Sequence, residues 1–297
     1  MKNNAIYLAL TTTFISGVAV FVNKYAVTAI KDPLVFTAVK NALVGILILA
    51  LLVATSKWKL IKSLNKKDSV YLLLIGIVGG AIPFYLFFTG LSLIPAINAA
   101  LIHKTLVFWV ALFAIPLLKE RMSKTQILGV LMLFAGNLLI GGFKGFTFSK
   151  GELFVLIATI LWGIENVIAK KALKNIDPDL VTAARMGFGS LILLAAAALT
   201  SPSALKGVLT FSSSQWLWMI ISSAALLGYV MSWYRALKMA PATFVSSILV
   251  AATLITNILS GVFITHSPSF LFSPQFILMA GGIIVLVITS KKQLSLA

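Results

Sequence analysis

Residues 32–40 read DPLVFTAVK and residues 177–185 read DPDLVTAAR, so the second segment is a partial copy of the first. Each holds Asp-Pro, then a Thr-Ala pair, then a basic residue seven positions after the proline, Lys40 in one and Arg185 in the other. The likeness spreads outward at an offset of 145 or 146 residues. Gly17, Lys24 and Ala26 recur as Gly163, Lys170 and Ala172, and Leu91, Pro95 and Ala96 recur as Leu237, Pro241 and Ala242. Self-similarity of this length divides the chain into halves, 1–145 and 146–297, before any function is assigned.

Composition tells which solvent the halves face. Of the 297 residues 60% are hydrophobic and 10% charged, whereas a soluble domain carries about 25% charged residues. A helix needs roughly 20 apolar residues to cross a bilayer core. Apolar runs between charge and proline punctuation predict helices at 5–29, 33–55, 68–91, 95–117 and 123–142, then 152–172, 178–200, 214–236, 241–264 and 274–290. Pro33, Pro95, Pro178, Pro241 and Pro274 mark starts, where the missing amide proton has no helical partner to lose. The expected fold is an all-α membrane protein with ten transmembrane helices in two five-helix repeats. Five is odd, so the second copy enters from the opposite face and the repeats are inverted, as in carriers that alternate access around a midplane site. The stretch after Met1, Lys2, Asn3 and Asn4 lacks a small-residue cleavage site and reads as the first helix rather than a signal peptide.

The net charge of +17 would point to nucleic acid in a soluble protein. Here it follows the loops. Lys2, Lys57, Lys59, Lys62, Lys66, Lys67, Lys119, Arg121, Lys124, Lys170, Lys171, Lys174, Arg235, Lys238, Lys291 and Lys292 fall on one side. Only Lys24, Lys31, Lys144, Lys150 and Lys206 fall on the other. The positive-inside rule therefore places both termini in the cytoplasm, and the expected location is a bacterial or archaeal cytoplasmic membrane. No nucleic-acid partner is expected, only membrane lipids and a small-molecule substrate. There is no cysteine, and two histidines and seven carboxylates are too few for most metal or acid–base enzymes. No Walker-type glycine loop is present, and no cofactor or metal is expected.

The duplicated Asp-Pro with Lys40 and Arg185, the Leu-x-x-x-Pro-Ala joint at 91–96 and 237–242, and Lys119-Glu120-Arg121 after helix 4 resemble the drug/metabolite transporter superfamily. The likeness is to its EamA-type ten-helix branch and covers almost the whole chain. It implies a carrier of amino acids, sugars, nucleotide-linked metabolites or cationic drugs, with export as the direction; fold alone does not select among these. Helix 9 in that family ends on an acidic residue matching Glu120. Here the counterpart is His266, followed by Ser267 and Pro268.

An ionisable side chain within an apolar helix costs about 2.5–3.5 kcal/mol on insertion scales, so it needs a partner or a wet cavity. Four qualify: Lys40, Lys104, Glu165 and Arg185. Glu165, in the run Trp162-Gly163-Ile164-Glu165-Asn166, has Ala19 as its repeat counterpart. It reads as a substrate-ammonium ligand or a proton-coupling group, the alternative being a fixed ion pair. Lys104, beside His103 and opposite Val250, reads as a cavity cation, with snorkelling or pairing with Glu165 as the alternatives. Trp109 and Asn166 join the substrate-binding candidates. Lys40 and Arg185 are repeat equivalents and read as structural or gating charges. Tyr85 and Trp162 are the aromatic cavity candidates, interfacial anchoring being the competing role of Tyr and Trp. Pro83 and Pro116 read as hinges or packing kinks.

Together these features predict a secondary transporter exporting a small polar metabolite, an amino acid or related carboxylate, by alternating access with proton coupling as an option. An organic-anion or sugar-phosphate exchanger is the alternative within transport. A membrane scaffold or receptor would leave the inverted duplication without a purpose, and an intramembrane enzyme would lack a paired nucleophile and base. In intact cells an impermeant lysine reagent added outside is expected to leave the loop at 56–67 unlabelled, read by peptide mapping; modification there would reverse the topology.

Overall fold

The computed structural model describes residues 2–139, 145–265 and 273–296, and every regular element among them is helical. Helix α1 is Lys2–Ile30 and α2 is Pro33–Ala54. Helix α3 runs through Lys66–Ile75, a π turn at Gly76–Ala81 and Ile82–Leu93. Helix α4 consists of Ala96–Lys104 and Leu106–Leu118, α5 is Lys124–Leu138, α6 is Lys150–Ala172, and α7 is Pro178–Thr200. Helix α8 is Ser213–Met239, α9 consists of Ala242–Leu249, Ala252–Ser260 and a π turn at Gly261–Thr265, and α10 is Pro274–Leu296. Among the described residues eight helices, α1–α4 and α6–α9, are long and apolar enough to cross a membrane. Helix α5 and the apolar stretch Pro274–Thr289 of α10 are shorter.

Local chemistry fixes the helix starts. Asp32 accepts from the amides of Leu34 and Val35 at 2.9 and 3.0 Å, and its repeat counterpart Asp177 accepts from the Asp179 amide at 2.8 Å. Each such cap contributes roughly 1 kcal/mol. Reciprocal capping boxes at Asn65 with Asp68, Ser149 with Glu152, and Ser212 with Gln215 start α3, α6 and α8.

Apolar side chains such as Ile46, Leu47, Leu49 and Val53 of α2 and Leu191 and Leu199 of α7 stay exposed, which suits a lipid surround. Lipid gives helices no hydrophobic reason to associate, so close packing depends on small residues. Gly80 meets the α7 backbone, where an added Cβ would overlap the Arg185 carbonyl. A Cβ on Gly79 would lie 2.5 Å from Glu165 Cγ. Only glycines let the π turn of α3 rest on α7 and against Glu165 together.

Helix α1 packs on α8 and α9, while α6 packs on α3 and α4; α2 pairs with α7 and α5 with α10. Exchanging each helix for its counterpart five places along maps these pairings onto one another. One pair of interruptions obeys the same exchange, α4 breaking at Thr105 and α9 between Leu249 and Ala252, one repeat apart, whereas the π turn of α3 has no counterpart in α8, which runs unbroken over Ser213–Met239. The two prolines expected as hinges or packing kinks differ in their placement. Pro83 stands in the first turn of Ile82–Leu93, just after the glycine-rich π turn that interrupts α3. Pro116 stays inside Leu106–Leu118 close to its end, where few downstream turns remain to be bent. The α4 break falls instead at Thr105, whose Oγ1 donates to the Ile102 carbonyl at 2.6 Å and competes with the helical ladder.

Gly80→Val is expected to destabilise the protein by about 1–3 kcal/mol through overpacking, seen as a lower melting temperature in detergent. Gly207→Ala, with nothing within 4 Å of the added methyl, is expected to leave it unchanged.

Candidate functional site

Helices α1, α2, α3, α4, α6, α7 and α8 enclose a cavity of about 140 Å³. Glu165 of α6 and Arg185 of α7 stand on its wall, bridged by Tyr234 of α8, which is buried and does not line it. The Tyr234 hydroxyl donates to Glu165 Oε1 at 2.6 Å, and Arg185 Nη1 donates to the Tyr234 oxygen at 3.1 Å. Arg185 Nη1 lies 3.8 Å from Glu165 Oε2, and its guanidinium stands 5.7 Å from the Phe84 ring centroid and 5.8 Å from that of Tyr234. Glu165 is fully buried, yet its Oε2 accepts no hydrogen bond and Arg185 Nε donates none. A buried ion pair repays its desolvation only when the remaining valences are met, and here they are left over beside a cavity.

Lys40 lines the same space from α2. Its Nζ sits 4.4 Å from the Phe36 ring centroid and 5.0 Å from that of Phe88. Among the described residues no carboxylate lies within ion-pair distance of it. Ring faces offset part of the charge, by up to about 2 kcal/mol when desolvated. Opposite, Trp162 donates from Nε1 to the Gly79 carbonyl in the α3 π turn at 3.0 Å, and its ring packs edge-on against Phe84 and His103. The loosened backbone of that turn thus orients a cavity aromatic.

Six residues singled out in the sequence meet here: Lys40, His103, Trp162, Glu165, Asn166 and Arg185 all line the cavity. Three lie off it, and these placements correct the sequence reading. Lys104 is buried but is not on the wall and pairs with no carboxylate among the described residues; the cation beside Glu165 is Arg185. His103 is on the wall and its neighbour Lys104 is not. Tyr85 lies off the wall, to which α3 contributes Phe84, Phe87 and Phe88. It borders a separate crevice of about 510 Å³ with Asp32, Thr89 and Ser201. Trp109 donates to Thr105 Oγ1 at 3.2 Å and packs on Gly163, bracing the α4 break. Lys40 and Arg185, expected as structural or gating charges, both line the cavity. His266 lies outside the described residues. Sequence reasoning passed over Asn23, which also lines the cavity and whose buried Oδ1 has no partner among the described residues, and over Tyr234. An asparagine inside an apolar run was the available signal for the first; nothing local marked the second.

Beyond Arg185, one end of the bundle is tied shut. Lys57 Nζ reaches Asp179 at 2.6 Å and Asp177 at 3.1 Å, and Arg235 Nη2 reaches Asp179 at 2.8 Å. Burial opposes the charge on Lys57, but Asp179 and Asp177 outweigh it and hold its pKa above the ordinary lysine value. Lys170 donates to the carbonyls of Leu237 and Ala240 at 2.6 and 2.7 Å. Glu120 accepts from the amides of Ala242 and Thr243 at the start of α9, at 2.8 and 2.9 Å, where the helix dipole favours an anion. Among the described residues no ion pair lies at the opposite end.

Eight apolar helices of membrane-crossing length among the described residues, seven of them lining a charged cavity, are the build of an integral membrane transporter. The chain belongs to the EamA-like transporter family, which matches it twice, over residues 3–142 and 149–288. An uncharacterized transporter of Bacillus subtilis strain 168, YyaM, is 29% identical over 208 residues, covering 68% of this chain and 67% of its own length. An uncharacterized transporter of Archaeoglobus fulgidus is 26% identical over 253 residues, covering 82% and 84%. One protein crystal structure shares the fold with a TM-score of 0.75 over 96% of this chain and 98% of its own, at 19% identity.

Removing one member of a buried pair strands the other. Arg185→Ala is expected to cost about 3–5 kcal/mol, and Arg185→Ala with Glu165→Gln distinctly less. Thermal unfolding of these variants and of Glu165→Gln alone checks this, and losses that add in the double variant would show that the pair is not coupled.

Proposed function

We propose that the protein is a secondary transporter that exports a small polar metabolite, an amino acid or a related carboxylate, by alternating access. The observation that carries this reading is Lys40, a cation on the cavity wall beside aromatic rings, with no carboxylate within ion-pair distance among the described residues. A substrate carboxylate supplies the missing anion, and an ammonium group suits the unpartnered oxygens of Glu165 and Asn166. Lys40 and Arg185 set against the single carboxylate of Glu165 on this wall also favour a second reading, an organic-anion or sugar-phosphate exchanger.

In this reading α5 and α10 complete ten crossings, and the halves are inverted repeats. Its support is the way the helix pairings and the breaks in α4 and α9 exchange under the repeat. The lysine-rich end is cytoplasmic, with both termini there, so the Lys57–Asp177–Asp179–Arg235 cluster closes the inner side. Breaking it opens the cavity inward, and the broken helices α4 and α9 supply the flexing elements. Export rests on the family resemblance. Proton coupling runs through Glu165: protonation removes the charge that Arg185 and Tyr234 hold and frees Arg185 for an anionic substrate.

Purified protein in liposomes, offered radiolabelled amino acids and sugar phosphates with and without a pH gradient, tests this. Amino-acid uptake is expected to fall roughly tenfold or more in Lys40→Ala, the loss of one charge-assisted hydrogen bond. Glu165→Gln is expected to transport without responding to the pH gradient. Unchanged transport in both variants would overturn the site; uptake of sugar phosphates alone would select the second reading.

A further inference from the structure

The link between α2 and α3 takes no part in the cavity. It forms a 3-10 helix, Lys57–Ser63, with the sequence KWKLIKS, followed by Leu64, Asn65, Lys66 and Lys67. Lys57 is turned inward to Asp177 and Asp179, which fixes the height of the turn against α7. The rest faces out. Trp58, Leu60 and Ile61 are 42, 41 and 52% exposed, on a segment that begins three residues beyond the last residue of a membrane-length helix, Pro33–Ala54. Apolar side chains at that level, left uncovered by the protein, are placed to enter the lipid interface.

The same turn carries unanswered charge. Lys59, Lys62, Lys66 and Lys67 are exposed, and no carboxylate lies within ion-pair distance of any of them among the described residues. Asp68, next in the chain, is engaged in the capping box of α3. Lys62 Nζ stands 6.0 Å from the Trp58 ring centroid, so a cation and an interfacial aromatic share one surface. Four cations beside three apolar anchors, at a fixed height, complement a layer of anionic headgroups over an apolar interior.

We propose that residues 58–67 dock on anionic phospholipid, with Trp58, Leu60 and Ile61 at the acyl boundary and Lys59, Lys62, Lys66 and Lys67 on headgroup phosphates. This rests on the membrane placement of α2 and α3 and not on what the cavity carries. Each lysine near such a surface favours anionic lipid by about fivefold.

The chain has no cysteine, so Ser63→Cys in the full-length protein takes a single fluorophore. The labelled protein is placed in nanodiscs of phosphatidylcholine with one-third phosphatidylglycerol, with bromine on the acyl chains of either lipid in turn. Brominated phosphatidylglycerol is expected to quench at least threefold more than brominated phosphatidylcholine at equal abundance. That preference should fade in 1 M salt, where the screening length falls to about 3 Å, and in a variant with all four lysines changed to Gln. Retention of the parent melting temperature shows that this variant is folded. Equal quenching by the two lipids, or a preference that survives loss of the four lysines, overturns the proposal. Reproduction of the fluorescence change by free inorganic phosphate in pure phosphatidylcholine discs overturns it as well, since the ligand would then be phosphate and not a lipid surface.

Discussion

A carboxylate in the interior of a membrane must find a cation and hydrogen-bond donors or lose its charge, and the centre of this protein is arranged around that demand at Glu165. Helix α6 brings the carboxylate, α7 brings Arg185, and α8 brings Tyr234 to bridge them. Helix α3 comes close enough to cover the group only because Gly79 and Gly80 have no side chains in the way. Its π turn then offers the Gly79 carbonyl to Trp162, one turn before Glu165 on α6. Four helices thus take their relative positions from one buried charge. Glu165 Oε2 and Arg185 Nε, both buried, keep no hydrogen-bond partner among the described residues.

The two ends of the bundle answer the repeat differently. Asp32 and Asp177 are counterparts, and each caps the helix that follows it. At Asp177 the site is elaborated by Asp179, Lys57 and Arg235 into a network that joins α7 to α8 and to the link after α2. At Asp32 the position of Asp179 is held by Leu34, and the residue borders an open crevice. Near-symmetry of the backbone is thus combined with asymmetry of charge, the ion pairs outside the cavity wall among the described residues being gathered at one end.

Much of this was legible in the sequence. Helix positions, their proline and aspartate starts and the duplication follow from hydropathy and punctuation, because in lipid every backbone group must be satisfied within its own segment. The short list of intramembrane charges was legible too, since such residues are costly enough to be rare.

What the chain could not state locally is who pairs with whom. Glu165 and Tyr234 are 69 residues apart, and Lys104 was as available to Glu165 by composition as Arg185. Only the packing of α6 against α3, α4 and α8 decides that His103 faces the cavity, that Lys104 turns away and that Arg185 takes the carboxylate. Likewise Thr105 carries no proline or glycine to announce a break, and Pro116 announces one that its helix end absorbs. The sequence by itself determined which segments enter the membrane and which charges must be accommodated there. The tertiary structure decided the partners, because the facing of a helix is set by its neighbours and not by its own hydropathy.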